Sequence, residues 1–340
     1  MCALVTERAH NGGVQAELRR SRLPIPLIAG GAAIAVVAVL LRATDVGDAA
    51  ASQTFTLIFT AIVVEALPFV LLGAAVSAVI EVFVGDHSID RIARLPLWLQ
   101  VPAAAFGGAA FPVCECGSVP VSRRLIRRGI HPAAGLTFML ASPIFNPIVL
   151  ASTWVAYSPR GLGWQMVVGR AAAGVVLATA TGWALGADGA KELLRPRGDE
   201  HEHSRDGSRV SEFVEHFSSD FFFMGKFLVA GAALAAALQT AIPQSVVSGV
   251  ATTPVIGTLG MMGVAYLASL CSEADAFVAV SFTQFPLGAQ LGFLVFGPVL
   301  DLKLSFLYSA AFKRRFVLRL AAVAIPVTLA TSLLFEVVLR

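Results

Sequence analysis

Long apolar runs, parted by short polar stretches, dominate the chain. They fall at residues 25–41, 55–84, 96–113, 132–157, 162–185, 221–242, 255–270, 287–311 and 317–339. Several exceed the roughly 18 apolar residues that a membrane-spanning helix needs. No strand-like alternation of apolar and polar positions replaces these runs, which argues against a β-barrel. The run at 55–84 is longer than a core of about 30 Å requires, so it tilts, kinks or protrudes. The runs at 96–113 and 255–270 are short and rich in Ala and Gly. Residues 186–220 form the one long hydrophilic stretch, whose composition cannot bury a core. The pattern divides the chain into a basic N-terminus with a first helix (1–53), a first membrane region (54–185), a cytoplasmic linker (186–220) and a second membrane region (221–340).

Composition agrees. The chain of 340 residues is 56% hydrophobic, with a mean hydropathy of +0.77. That excludes an ordinary soluble domain and makes the lipid bilayer the first partner. A net charge of +3 gives no footprint for nucleic acid. The N-terminus carries Arg8, Arg19, Arg20 and Arg22 before the run at 25–41, which reads as an uncleaved first helix rather than a signal peptide. The linker holds His201, His203 and His216, and its composition favours a solvated tether over a metal site. No cofactor motif is read. A Walker-type phosphate loop is absent, so an ion gradient or the solute's own gradient would supply the energy.

The two membrane regions repeat one another. PFVLLGAAVSA at 68–78 matches KFLVAGAALAA at 226–236, with Gly73 on Gly231. Cys114 falls on Cys271, Phe138 on Phe293, Pro143 on Pro298 and Asn146 on Asp301, at a spacing of about 155–158. The stretches 111–147 and 269–303 concentrate cysteines, acids, prolines and basic residues within otherwise apolar text. If the short arms of the first stretch each crossed the membrane, Arg123, Arg124, Arg127 and Arg128 would lie outside, against the positive-inside rule. A re-entrant hairpin in each region returns them to the cytoplasm, together with Lys313, Arg314 and Arg315, and leaves Gln284 outside. The expected fold is therefore an all-α polytopic membrane protein of two inverted-topology repeats, each with a re-entrant or short-helix hairpin, plus an extra N-terminal helix.

Three of the four cysteines, Cys114, Cys116 and Cys271, lie in these stretches, and Cys2 at the terminus is given no role. Thiolates suit soft metals and metalloids. A buried cysteine also serves simply as a small apolar residue, but three at repeat-related positions beside acids and helix breakers favour a binding site. Glu65, Glu115, Glu273, Asp275 and Asp301 lie in or next to apolar segments, where ionisable groups are costly and mark functional positions. Glu273 and Asp275, with Glu115 in the other hairpin, are the candidates for ion coupling. The competing reading is that these acids pair with Lys226, Lys303 or an arginine and serve assembly. Asn146 and Asp301 follow prolines that free backbone carbonyls, so they join the cysteines as candidate substrate ligands.

The double motif, C-x-C-G-x-x-P with ASP-x-x-NP and then CSEADAF-x-A with GP-x-x-D, resembles the ArsP/YraQ-type predicted permease family. The resemblance spans about residues 54–338. It implies a permease of the bacterial inner membrane, without enzymatic activity, and efflux of trivalent organoarsenicals is the association of named members. The expectation is a secondary transporter exporting a thiophilic solute, either such a metalloid species or a soft metal ion. The alternatives are a membrane thiol oxidoreductase and a non-transporting sensor or partner. The sequence allows a homo-oligomer.

Overall fold

The computed structural model describes residues 49–340 except 111–113, 188, 190–192, 196–208, 242–253, 314 and 340. The expected first helix at 25–41, Cys2, the linker residues His201 and His203, and Arg314 lie outside the described residues. The described chain is helical. In order, the helices are α1 (Ala49–Phe83), α2 (Asp86–Ala93), α3 (Leu97–Ala110), α4 (Glu115–Arg127), α5 (Pro132–Ala141), α6 (Pro147–Tyr157), α7 (Gly163–Gly186), α8 (Arg209–Ala241), α9 (Pro254–Ala268), α10 (Asp275–Ala279), α11 (Leu287–Phe296), α12 (Leu302–Ala311) and α13 (Arg315–Val338).

Residues 51–83 of α1, together with α7, α8 and α13, are long and apolar enough to cross a membrane. The protein is thus an all-α membrane protein. The arms at 96–113 and 255–270 become α3 and α9, of 14 and 15 residues. At 1.5 Å per residue these reach only about 21–23 Å, short of a core of about 30 Å. Each arm packs on the helix that follows its motif, α3 on α5 and α9 on α11.

Three boundaries differ from the sequence reading. The run at 132–157 is not one helix but α5 and α6, broken at 142–146. Pro147 takes the first helical position of α6, and Asn146 Oδ1 caps it by accepting from the Ile148 amide at 2.9 Å. The run at 287–311 likewise splits into α11 and α12. Pro298 lies in that break, and Asp301 Oδ1 caps α12 by accepting from the Leu304 amide at 2.6 Å. The third difference is that α8 begins at Arg209, so its first residues come from the stretch assigned to the linker. Val210, Phe213, Val214, Phe217 and Phe221 recur there at helical spacing, and the last three phenylalanines stack successively.

Packing crosses between the two membrane regions. Helix α7 meets both α11 and α13, α12 lies on α4, and the short α10 lies on α6. Lipid tails are as apolar as leucine, so close packing rather than expulsion from water joins such helices. Two glycines show this. A Cβ on Gly73 of α1 would collide with the Gly117 backbone of α4, and one on Gly231 of α8 would lie 2.7 Å from Lys303 Cα of α12. The repeat-matched glycines therefore let the two long helices approach the two motif-bearing segments.

Candidate solute site where the two membrane regions meet

In the first motif α4 starts at Glu115, with Cys114 in extended backbone at its N-cap. Ser118 Oγ and Ser122 Oγ then fasten α4 to α5, through the carbonyls of Met139 at 3.0 Å and Gly135 at 2.7 Å. In the second motif the chain turns at Ser269, which is buried and adopts a left-handed φ of 48°. Such strained backbone persists only where its surroundings hold it. The turn presents the Leu270 carbonyl to Lys303 and Cys271 to the first motif.

The two motifs meet. A sulfur of Cys114, one of Cys271 and a carboxylate oxygen of Glu115 all lie within 4.8 Å of one another, and all three residues are buried. Cys116, also buried, is a side-chain neighbour of Cys114. The three cysteines are free thiols. Cys271 Sγ donates to Glu273 Oε2 at 2.8 Å, and Glu273 Oε1 is buried without a hydrogen-bond partner among the described residues.

Around the sulfurs runs a network of charge. Glu115 Oε1 accepts from Lys303 Nζ at 2.9 Å, and its Oε2 accepts from Ser272 Oγ at 3.0 Å. Lys303 also donates to the Leu270 carbonyl at 3.1 Å and lies 3.6 Å from Asp301 Oδ2. Beside it, Arg170 of α7 grips both oxygens of Asp275 at 2.8 and 2.7 Å, and donates to Thr153 Oγ1 at 2.8 Å. Buried ions of this kind persist only when paired and hydrogen-bonded. Further along, the Tyr157 hydroxyl donates to Gln290, whose amide donates to the carbonyls of Phe282 and Phe285.

Of the residues singled out from sequence, Cys114, Cys116, Cys271, Glu115 and Glu273 are gathered together, and Asp301 joins them through Lys303. Asp275 is engaged by Arg170. Glu65, half-buried on α1, lies within electrostatic reach of Lys303 and Glu115. Asn146 bonds within its own helix, and its Nδ2 is buried without a hydrogen-bond partner among the described residues. Lys226 sits over the rings of Phe223 and Phe227 at 5.2 and 5.3 Å, outside this network. Arg170 and Ser272 were missed. A lone arginine inside the apolar run at 162–185 was the available signal, since such charges are rare at membrane depth.

A helical membrane protein with broken helices and a buried polar cluster between its two membrane regions has the architecture of a permease. The chain belongs to the ArsP_1 family, described as predicted permeases, whose sequence model matches residues 51–337. It is 40% identical over 284 residues to the UPF0718 protein YcgR of Bacillus subtilis (strain 168), covering 82% of this chain and 96% of that protein. It is 31% identical over 268 residues, 77% of this chain and 88% of the other, to a Streptococcus mutans protein named "Putative two-component membrane permease complex subunit". No solved structure matches the chain.

Proposed function

We propose that this protein is a secondary transporter of the bacterial plasma membrane that exports a thiophilic solute, such as a trivalent organoarsenical or a soft metal ion. One observation carries the reading: sulfurs from both motifs and a carboxylate oxygen converge within 4.8 Å in a buried cluster. Sulfur donors select soft, thiophilic centres. A dihydroxy organoarsenic species would exchange its two hydroxyls for two thiolates, the thiol protons leaving with them as two waters. Cys114 and Cys271 are the pair best placed for this, with Cys116 as a third donor. Glu273, bonded to the Cys271 thiol and holding an oxygen without a hydrogen-bond partner among the described residues, is the candidate for ion coupling.

The two membrane regions form inverted repeats in this reading, with the arginines of α4 at the cytoplasmic face. The positive-inside rule carries that placement; Arg124 itself pairs with Asp220, within α8, and with Glu81 at the end of α1. The S. mutans relative's name suggests a second membrane component as partner.

The test is export from everted vesicles together with protection of thiols from alkylation. Cys114→Ser and Cys271→Ser should each lose export of a methylated trivalent arsenical and its protection, because the harder serine oxygen is a poor ligand for a soft centre. Normal export by an expressed variant lacking Cys114, Cys116 and Cys271 would remove the thiolate site.

A further inference from the structure

Lys303 is a buried lysine in a helical membrane protein, where charged side chains are rare and costly. It is only 2% exposed. Its ammonium faces Glu115 Oε1 at 2.9 Å, the Leu270 carbonyl at 3.1 Å and Asp301 Oδ2 at 3.6 Å. The three oxygens come from the start of α4, the break after α9 and the cap of α12. Asp301 Oδ2 makes no hydrogen bond among the described residues, so it stands as an open acceptor turned to the ammonium. Two carboxylates and a carbonyl freed at a helix break form a hard oxygen cage, the donor set that holds alkali cations in broken-helix transporters.

We infer that the Lys303 ammonium is a resident cation, filling an oxygen cage that would otherwise take a sodium-sized monovalent ion. The tethered charge neutralises Glu115 and Asp301 permanently. It joins α4 to α12 without recruiting an ion from solution. The cage needs no sodium, and the thiols beside it meet solute in the same charge environment at any external sodium concentration. This bears on the energy source of the proposed transporter but stands apart from the identity of its solute.

The test reads stability of the purified protein in detergent, so it can fail without touching the thiol reading. Thermal midpoints are measured in choline, sodium and methylammonium chloride at equal ionic strength. The intact protein should melt at one temperature in all three. Lys303→Ala should melt several degrees lower in choline and recover, with saturation, on adding sodium or methylammonium. The further changes Glu115→Gln and Asp301→Asn should abolish that recovery. Lys303→Gln, which keeps more of the side-chain volume, gives a second measurement if the alanine variant is poorly folded in choline. Sodium-specific stabilisation of the intact protein would overturn the inference. So would cation-independent melting of both lysine variants, or their failure to fold even in sodium, since Lys303 would then be an ordinary ion-pair partner.

Discussion

Glu115 opens α4 and Lys303 lies in the first turn of α12, yet the two form a 2.9 Å ion pair with side chains 1% and 2% exposed. They stand 188 residues apart in sequence and belong to different membrane regions. A second pair crosses in the other direction. Asp275 of the second motif binds Arg170 of the first region, with side chains 4% and 0% exposed. Each motif thus contributes an acid whose cation comes from the other region. The two pairs fix the segments that carry the cysteines, since Cys114 adjoins Glu115 and Cys271 lies one turn before Asp275 in sequence.

The pairing gives a prediction for stability. Removing one member of a buried pair leaves an uncompensated charge, at a cost of about 3–5 kcal/mol, whereas replacing both with apolar residues of similar size is often near neutral. Arg170→Met or Asp275→Leu alone should sharply lower the thermal midpoint and the yield of folded protein. The double variant should recover much of both. Equal losses in single and double variants would show that the pair has no coupling of its own.

A different outcome is expected at Glu273. Its carboxylate accepts from Cys271, and its other oxygen has no hydrogen-bond partner among the described residues. Glu273→Gln keeps the shape and an acceptor oxygen, so folding should persist while solute export loses its response to an imposed proton gradient. Export in vesicles at two internal pH values measures this. An unchanged gradient response would leave Glu273 as a structural acceptor of the thiol proton.

Topology is testable at three positions. Arg124 pairs with Asp220 and Glu81, and the Lys313 amide bonds the Leu193 carbonyl beside the Leu194–Phe312 bridge. Single cysteines at 124 and 313, in a background without native cysteines, should be labelled by an impermeant reagent only from the cytoplasmic side. A cysteine at Gln284 should be labelled only from outside. External labelling at 124 would remove the first hairpin.

The sequence by itself determined that this is a helical membrane protein, because apolar runs of this length have no other stable form in lipid. It also determined the two motifs and their matched spacing, since Cys114 with Cys271 and Asn146 with Asp301 are legible as text. It marked the acids as costly, but not which cation each would meet. Only the tertiary structure decided that Glu115 pairs with Lys303 and Asp275 with Arg170. Those choices depend on α12 crossing to α4 and on α7 reaching the second motif, contacts that no local pattern encodes. The same holds for the breaks at 142–146 and 297–301. Hydrophobicity runs straight through them, and the helices break there because Pro143 and Pro298 lack the amide that a continuous helix would use, while Asn146 and Asp301 cap free amides at the starts of α6 and α12.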